Sequence, residues 1–337
     1  MTRAREQQIC CEDTPYYHCI SRVVRRAFLC GFDRLTQQNF DHRRQWVVDR
    51  LADIDAVFCI DVCAYAIMSN HYHLVLFIDK PAVEALSDLQ VIERWRTLYN
   101  GPEIIERFLK GDPVSAAHKL LIDEIVEKWR ERLADISWYM RTLNQFIACK
   151  ANAEDKCKGR FWEGRFKSQA LLDEQALLTC MAYVELNPIR AKIAQTPESS
   201  DYTSIQQRIE ETSECESEDT KNNQKEKPPK MALKPFTGDG KDLKEQLPYN
   251  FKEYIQLVDW SGRAIRDDKR GAIDDQLPFI LHRLGIDEEY WYEAMKPKAN
   301  RYFSRAIGCQ SSLRAYAQKL EIGWIKGVAM CSKLFPA

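Results

Sequence analysis

Two of the chain's six histidines stand two residues apart in the stretch MSNHYHLVLFID, residues 68–79. The apolar run around them reads as a β-strand. A strand sends alternate side chains to opposite faces, so His71 and His73 share one. Two neutral imidazoles at that spacing can chelate one cation, but a third ligand is needed to fix it. A merely polar sheet face accounts for the pair equally well.

A second group lies in MAYVELNPIRAKI, residues 181–193. Tyr183 and Asn187 are four residues apart and fall on one face of a helix. A phenolic oxygen attacks phosphorus competently when a metal polarises the phosphoryl group, and an amide carbonyl one turn on suits the same metal. The plainer alternatives are a half-buried aromatic at Tyr183 and, at Asn187, the start of a short helix at Pro188. A third group is KCKGRFWEGRFKS, where Lys156, Lys158, Arg160, Arg165 and Lys167 interleave with Phe161, Trp162 and Phe166. Cations meet phosphates and aromatics stack on unpaired bases, a mixture suited to single-stranded nucleic acid; a strand edge with core anchors is the rival reading. Arg22, Arg25 and Arg26 in SRVVRRAF form either a further phosphate-contacting turn or a charged loop.

These groups need a sheet and crossing helices to hold them. YYHCISR (16–22) reads as a strand, and DRLTQQNFDHRRQWVVDRLADI follows with helical spacing of Leu35, Phe40, Trp46, Val47 and Leu51. AVFCIDVCAYAIM and HYHLVLFI are β-rich runs joined at Ser69-Asn70, a hairpin signal. Residues 80–135 are charged and helical in composition, and read as an insertion. ISWYMRTLNQFIACKANA reads as a helix, the basic stretch leads into a last strand, and Asp173 is placed to cap EQALLTCMAYVEL. The order β-α-β-β-(insert)-α-β-α predicts a ferredoxin-like α+β antiparallel sheet. ETSECESEDTKNNQKEKPPK, within 211–244, is charged and nearly free of large apolar residues, which predicts a linker between a domain at 1–210 and a mainly helical one at 245–337.

The whole chain sets outer bounds. Its 337 residues suffice for one large domain or two ordinary ones, and an apolar fraction of 45% with eight tryptophans excludes global disorder. A net charge of −1 means that any nucleic-acid site is a local patch. The twelve cysteines form no CxxC pair. With no apolar secretion core at the start and no run approaching the roughly 18–20 apolar residues of a membrane span, a soluble cytoplasmic protein with reduced thiols is expected.

In chain order, the arginine-bearing first strand, NHYHLVL, LNQFIACKAN, GRFWEGRFKS and YVELNPIRA together resemble the REP-associated tyrosine transposases, a branch of the HUH single-strand DNA nucleases. The resemblance covers roughly residues 14–195, interrupted by the 80–135 insert. It implies that His71 and His73 bind Mg²⁺ or Mn²⁺, that Tyr183 is the catalytic tyrosine, and that Asn187 is a further metal ligand. It implies attack by the tyrosine on a DNA phosphate, leaving a 5′-phosphotyrosine and a free 3′-hydroxyl, with no nucleotide cofactor. The implied partner is single-stranded DNA folded as a hairpin of a repetitive extragenic palindrome, and the implied setting is DNA transposition and recombination. Arg22, Arg25, Arg26, Arg160, Trp162, Arg165 and Lys167 are then the candidate DNA contacts.

The chain departs from its relatives in places. SRVVRRAF stands where they tend to carry Gly-Asn after the first Ser-Arg, the insert is longer than in compact members, and the region past 211 matches only the extension of longer ones, around LVDWSGRAIRDDKRGAI. Two rivals stand beside the transposase reading: a non-catalytic hairpin-binding regulator, and an HUH replication or conjugation initiator. The latter often has two tyrosines on the helix or a third histidine at the metal motif; this helix offers Tyr183 alone, and no third histidine stands near the pair in sequence. Monomer and dimer are equally compatible with the sequence.

Overall fold

The computed structural model describes residues 9, 12–24, 28–33, 37–113, 115–218, 231–237, 246–265, 279–295 and 305–335. Its elements in chain order are β1 (Tyr16–Arg22), β2 (Phe32–Asp33), β3 (Gln38–Asn39), α1 (His42–Asp55), β4 (Ile60–Ile67), β5 (His71–Ile78), α2 (Lys80–Ala85), α3 (Asp88–Leu98), α4 (Glu103–Leu109), α5 (Ala116–Leu133) and α6 (Ile136–Glu154). There follow β6 (Lys167–Leu171), α7 (Glu174–Glu185), α8 (Asn187–Arg190), α9 (Ser204–Glu218), β7 (Phe236–Thr237), β8 (Leu247–Asn250), α10 (Phe251–Ile265), α11 (Phe279–Arg283), α12 (Glu288–Met295), β9 (Ala306–Ile307), α13 (Gln310–Lys319) and α14 (Val328–Leu334).

The chain is a mixed α+β protein around a five-stranded sheet in the order β4-β5-β1-β6-β9. The first four strands pair antiparallel, with β1 inserted between β5 and β6, which is the split β-α-β arrangement that the element order predicts. The insert is the four helices α2 to α5. Helix α1 is shorter than its predicted span. It begins at His42 because Gln37, at φ 58°, turns the chain back and Phe32–Asp33 pairs with Gln38–Asn39. Arg43, fully buried, ties the start of α1 to the end of α6 through its Nε on Glu154 Oε2 at 2.6 Å and a second ion pair with Asp155.

A fifth strand departs from the four-stranded expectation. β9 pairs parallel to β6, which would otherwise present an open row of backbone donors and acceptors. On the opposite edge, Val62 and Ala66 of β4 are bridged by Leu233 and Thr203. Lys234, within the predicted linker, is buried with its Nζ on Asp61 Oδ2 at 2.8 Å.

Helix α7 explains much of this wrapping. Every residue from Ala176 to Glu185 is buried, and a helix apolar all round must be covered on every side. The sheet covers one side, and α10 and α12 pack on others. Gly262 of α10 allows that approach, since a Cβ there would stand 3.2 Å from Ile189 Cδ1 and 3.4 Å from Leu186 Cδ2. Asp173 caps α7 as its sequence position predicts: Oδ1 accepts from Ala176 N at 2.9 Å, while Oδ2 accepts from Cys309 N at 2.7 Å, just past β9.

Candidate active site

Register decides which side chains meet. Ile20 of β1 lies opposite His73 on one side and Lys167 on the other; His18 lies between Val75 and Gln169; Arg22 lies opposite His71. With side chains alternating, His18, Arg22, His71, His73, Lys167 and Gln169 occupy one face. Tyr72 points to the other face, where its hydroxyl donates to Asn144 Oδ1 of α6 at 2.8 Å and Asn144 Nδ2 donates to Ser21 Oγ at 3.0 Å. The tyrosine between the two histidines is thus the anchor that sets their strand on α6.

On the histidine face a hydrogen-bonded chain runs from Gln169 through His18 to His73. His18 Nδ1 is 2.9 Å from Gln169 Oε1, and His18 Nε2 is 2.8 Å from His73 Nδ1, with the two rings stacked at 5.1 Å. Since Gln169 Oε1 accepts, Nδ1 of His18 donates; its Nε2 then accepts, and Nδ1 of His73 donates. His73 Nε2 is left as a lone pair, buried and without a hydrogen-bond partner among the described residues. His71 follows the same rule: its Nδ1 donates to Asn70 Oδ1 at 2.6 Å, which leaves its Nε2 as the acceptor. Burial holds all three imidazoles neutral, pushing His18 and His71 down to about 4 and His73 well below its ordinary value; Arg22 and Arg190 add to the effect at His71 and His73.

Tyr183 comes to this face from α7. Its ring centroid lies 6.1 Å from that of His73 and 6.5 Å from that of His18, both edge-on. The Arg190 guanidinium sits over the same ring at 3.5 Å. It also donates to the Tyr183 carbonyl at 2.9 Å and to Asn187 Oδ1 at 2.7 Å. Burial lowers the Arg190 pKa and its neighbour Tyr183 opposes that shift. Asn187 begins α8, one turn past Tyr183, and its Nδ2 donates to the carbonyls of Tyr183 and Val184, each at 3.2 Å. Its amide is therefore engaged at both ends, with the oxygen facing a cation.

The structure brings His71, His73 and Tyr183 together, places Arg22 and Lys167 beside them, and sets Asn187 next to Tyr183 but turned to Arg190. Arg160 and Arg165 are exposed in the segment leading to β6. Trp162 is half-buried, edge-on to Tyr72 at 5.7 Å, with its Nε1 donating to Asn144 O at 2.8 Å. Arg25 and Arg26 lie outside the described residues. The sequence reading missed His18: a third histidine does stand beside the pair, delivered by β1 rather than by the motif. Gln169, Arg190 and Glu185 were missed too. Glu185, buried on α7, accepts from Ser204 Oγ at 2.7 Å and Ile205 N at 2.9 Å and so fixes the start of α9; burial pushes its carboxyl up to about 7.

Among the described residues no cluster of three His, Cys, Asp or Glu side chains is assembled to hold a metal. The rings of His71 and His73 stand 4.9 Å apart, and the Nε2 of each, buried and unpartnered at His73, is the atom that would serve as a ligand to a cation. Each imidazole is oriented through its other nitrogen, the usual arrangement of a metal-binding histidine.

No protein-family model matches the chain, and no curated protein matches it. Among solved structures it is similar to a REP-associated tyrosine transposase bound to a REP hairpin, at 10% identity and a TM-score of 0.36, over 63% of this chain and 87% of that one. At that score the likeness is distant.

Proposed function

We propose that this chain is a metal-dependent single-strand DNA endonuclease and strand transferase of the HUH tyrosine type, acting on hairpins of repetitive palindromes. The observation that supports it most is the meeting of two oriented, neutral imidazoles with the one tyrosine of α7 on a single sheet face. The chain NHYHLVL, GRFWEGRFKS and YVELNP supports the same reading from sequence.

In this reading Arg22 and Lys167 hold the DNA backbone over the histidine face, and Arg160 and Arg165 extend the basic track. The Tyr183 oxygen attacks phosphorus and loses its proton, the bond from phosphorus to the 3′ oxygen breaks, and that oxygen takes up a proton as a free 3′-hydroxyl. One phosphodiester is exchanged for another, so no nucleotide cofactor is needed. Arg190 fixes the ring of Tyr183, and His18 fixes the orientation of His73. Mg²⁺ or Mn²⁺ held by His71 and His73 would polarise the phosphoryl group and stabilise charge on the leaving oxygen.

A second reading, a hairpin-binding protein that does not cut, is favoured by the cover over Tyr183, which is 7% exposed beneath Arg190. The test is a labelled palindromic hairpin with single-stranded flanks, incubated with Mg²⁺ or Mn²⁺ and run on a denaturing gel. A covalent adduct that disappears in Tyr183→Phe is expected. Hairpin binding with no adduct across several hairpins would favour the second reading, and an adduct in Tyr183→Phe would remove Tyr183 as nucleophile.

A further inference from the structure

On the side of the sheet covered by α6, the insert helices meet α6 and α1 around a cavity of about 680 Å³. One wall is aromatic. Trp95 stacks on Tyr99 at 4.3 Å, and Trp138 stands edge-on to Trp95 at 5.5 Å. The other lining groups include three guanidinium groups and no carboxylate. Arg132 lies 4.1 Å from the Trp138 ring and 5.4 Å from that of Trp95; Arg141 lies 4.9 Å from Trp138; Arg50 lies 4.8 Å from Phe146. Neither Arg132 nor Arg141 has a hydrogen-bond or ion-pair acceptor among the described residues. Arg50 reaches Asp53 at 3.3 Å through one terminal nitrogen, while its Nε is buried without a partner.

A small core for the insert needs none of this charge. Three guanidinium groups around one space repel each other, and an anion relieves that repulsion. Indole, phenol and guanidinium planes in turn suit a flat ring, which stacks on either kind of surface. A nucleotide carries the flat ring and the anion in one unit, and the volume falls within the about 300–1,000 Å³ of ligand pockets. We propose that this cavity takes one unpaired nucleotide, its base against Trp138 and Arg132 and its phosphate on Arg50, Arg132 and Arg141. Assigning that nucleotide to a DNA single strand, rather than to a free mononucleotide, rests on the proposed function. The insert then gives the protein a second hold on the strand, on the far side of the sheet from Tyr183.

The test titrates full-length protein with a fluorescein-labelled dT oligonucleotide, and separately with dAMP and dTMP, following anisotropy and tryptophan quenching. The proteins are wild type, Arg132→Gln/Arg141→Gln, Trp138→Leu and, as a charge control on the exposed face of α5, Lys119→Gln. Expected is a loss of oligonucleotide affinity of tenfold or more in the double variant, a smaller loss in Trp138→Leu, and none in Lys119→Gln. A double variant that folds, by circular dichroism, and binds within twofold of wild type would overturn the proposal. Mononucleotide binding without oligonucleotide binding would overturn the strand assignment. Loss of oligonucleotide binding in the double variant, alongside a wild type that forms no Tyr183 adduct, would sustain the cavity while sinking the transesterase reading.

Discussion

His18 sits in the middle of a buried hydrogen-bonded chain, held by Gln169 at 2.9 Å and holding His73 at 2.8 Å. His18→Ala takes the acceptor from a buried N–H, at a cost of about 1–3 kcal/mol, and frees the His73 ring to turn. Loss of such an orienting partner typically lowers metal affinity about 10–100-fold. The expected outcome is weaker Mn²⁺ binding by calorimetry in a Tyr183→Phe background, with circular dichroism unchanged; equal affinity would reduce His18 to packing. The spacing of His71 and His73 along one strand is local, so sequence alone places both on one face. His18 escapes the same reading because its place depends on the β1–β5 register, which no local period encodes. Asn187 shows a further limit: its distance from Tyr183 is legible, but so is that from Arg190 three residues on, and spacing alone does not say that the guanidinium takes its oxygen, at 2.7 Å.

At the scale of elements, strands and helices follow from period and capping. The Asp173 cap and the Ser69-Asn70 turn both stand where local chemistry puts them. Asp173 also binds Cys309 N, a contact 136 residues away that no cap signature announces. Asp173→Ala therefore removes an N-cap and a tie to β9; a stability loss of about 1–2 kcal/mol is expected from the cap alone, and a lower melting temperature is its measure. At the end of α1, burial and then the charge of Asp61 raise the Asp55 carboxyl from 3.8 to about 7, against a hydrogen bond from Ala232. The folded state thus keeps a proton that the unfolded chain releases near 4. The stability Asp55 lends is complete below about pH 4 and is lost as pH rises through 7. Asp55→Asn is expected to match wild type near pH 4 and exceed it by roughly 1–2 kcal/mol at pH 8, after discounting for solvent screening. Urea midpoints at the two pH values decide it, and a gap of the same size at both would assign the effect to something other than this proton.

For the molecule as a whole, the telling feature is how the residues past 245 meet the sheet. Gln175 Nε2 of α7 donates to Leu284 O at 2.6 Å, the Tyr249 hydroxyl donates to Glu174 O, and Trp291 is fully buried with its Nε1 on Ser261 Oγ at 2.9 Å. β9 completes the sheet edge beside β6, and Gly308 follows it where a Cβ would stand 2.9 Å from Asp173 Oδ2. The composition shift at 211–244 signals a change of chain character without saying where the chain goes next. A two-residue strand like β9 carries no period to read, so its pairing with β6 belongs to tertiary structure alone. Because α7 is buried all round, the surfaces that cover it cannot leave without exposing its apolar side to water. The N-terminal sheet and the C-terminal helices are therefore expected to unfold together. Scanning calorimetry of the full chain should give one transition, with calorimetric and van't Hoff enthalpies in agreement. A chain ended at residue 245 should lose that transition or aggregate, since it bares both α7 and the open edge of β6. Two resolved transitions, with the upper or lower one surviving in the shortened chain, would mean that α7 is covered by a body able to fold without it.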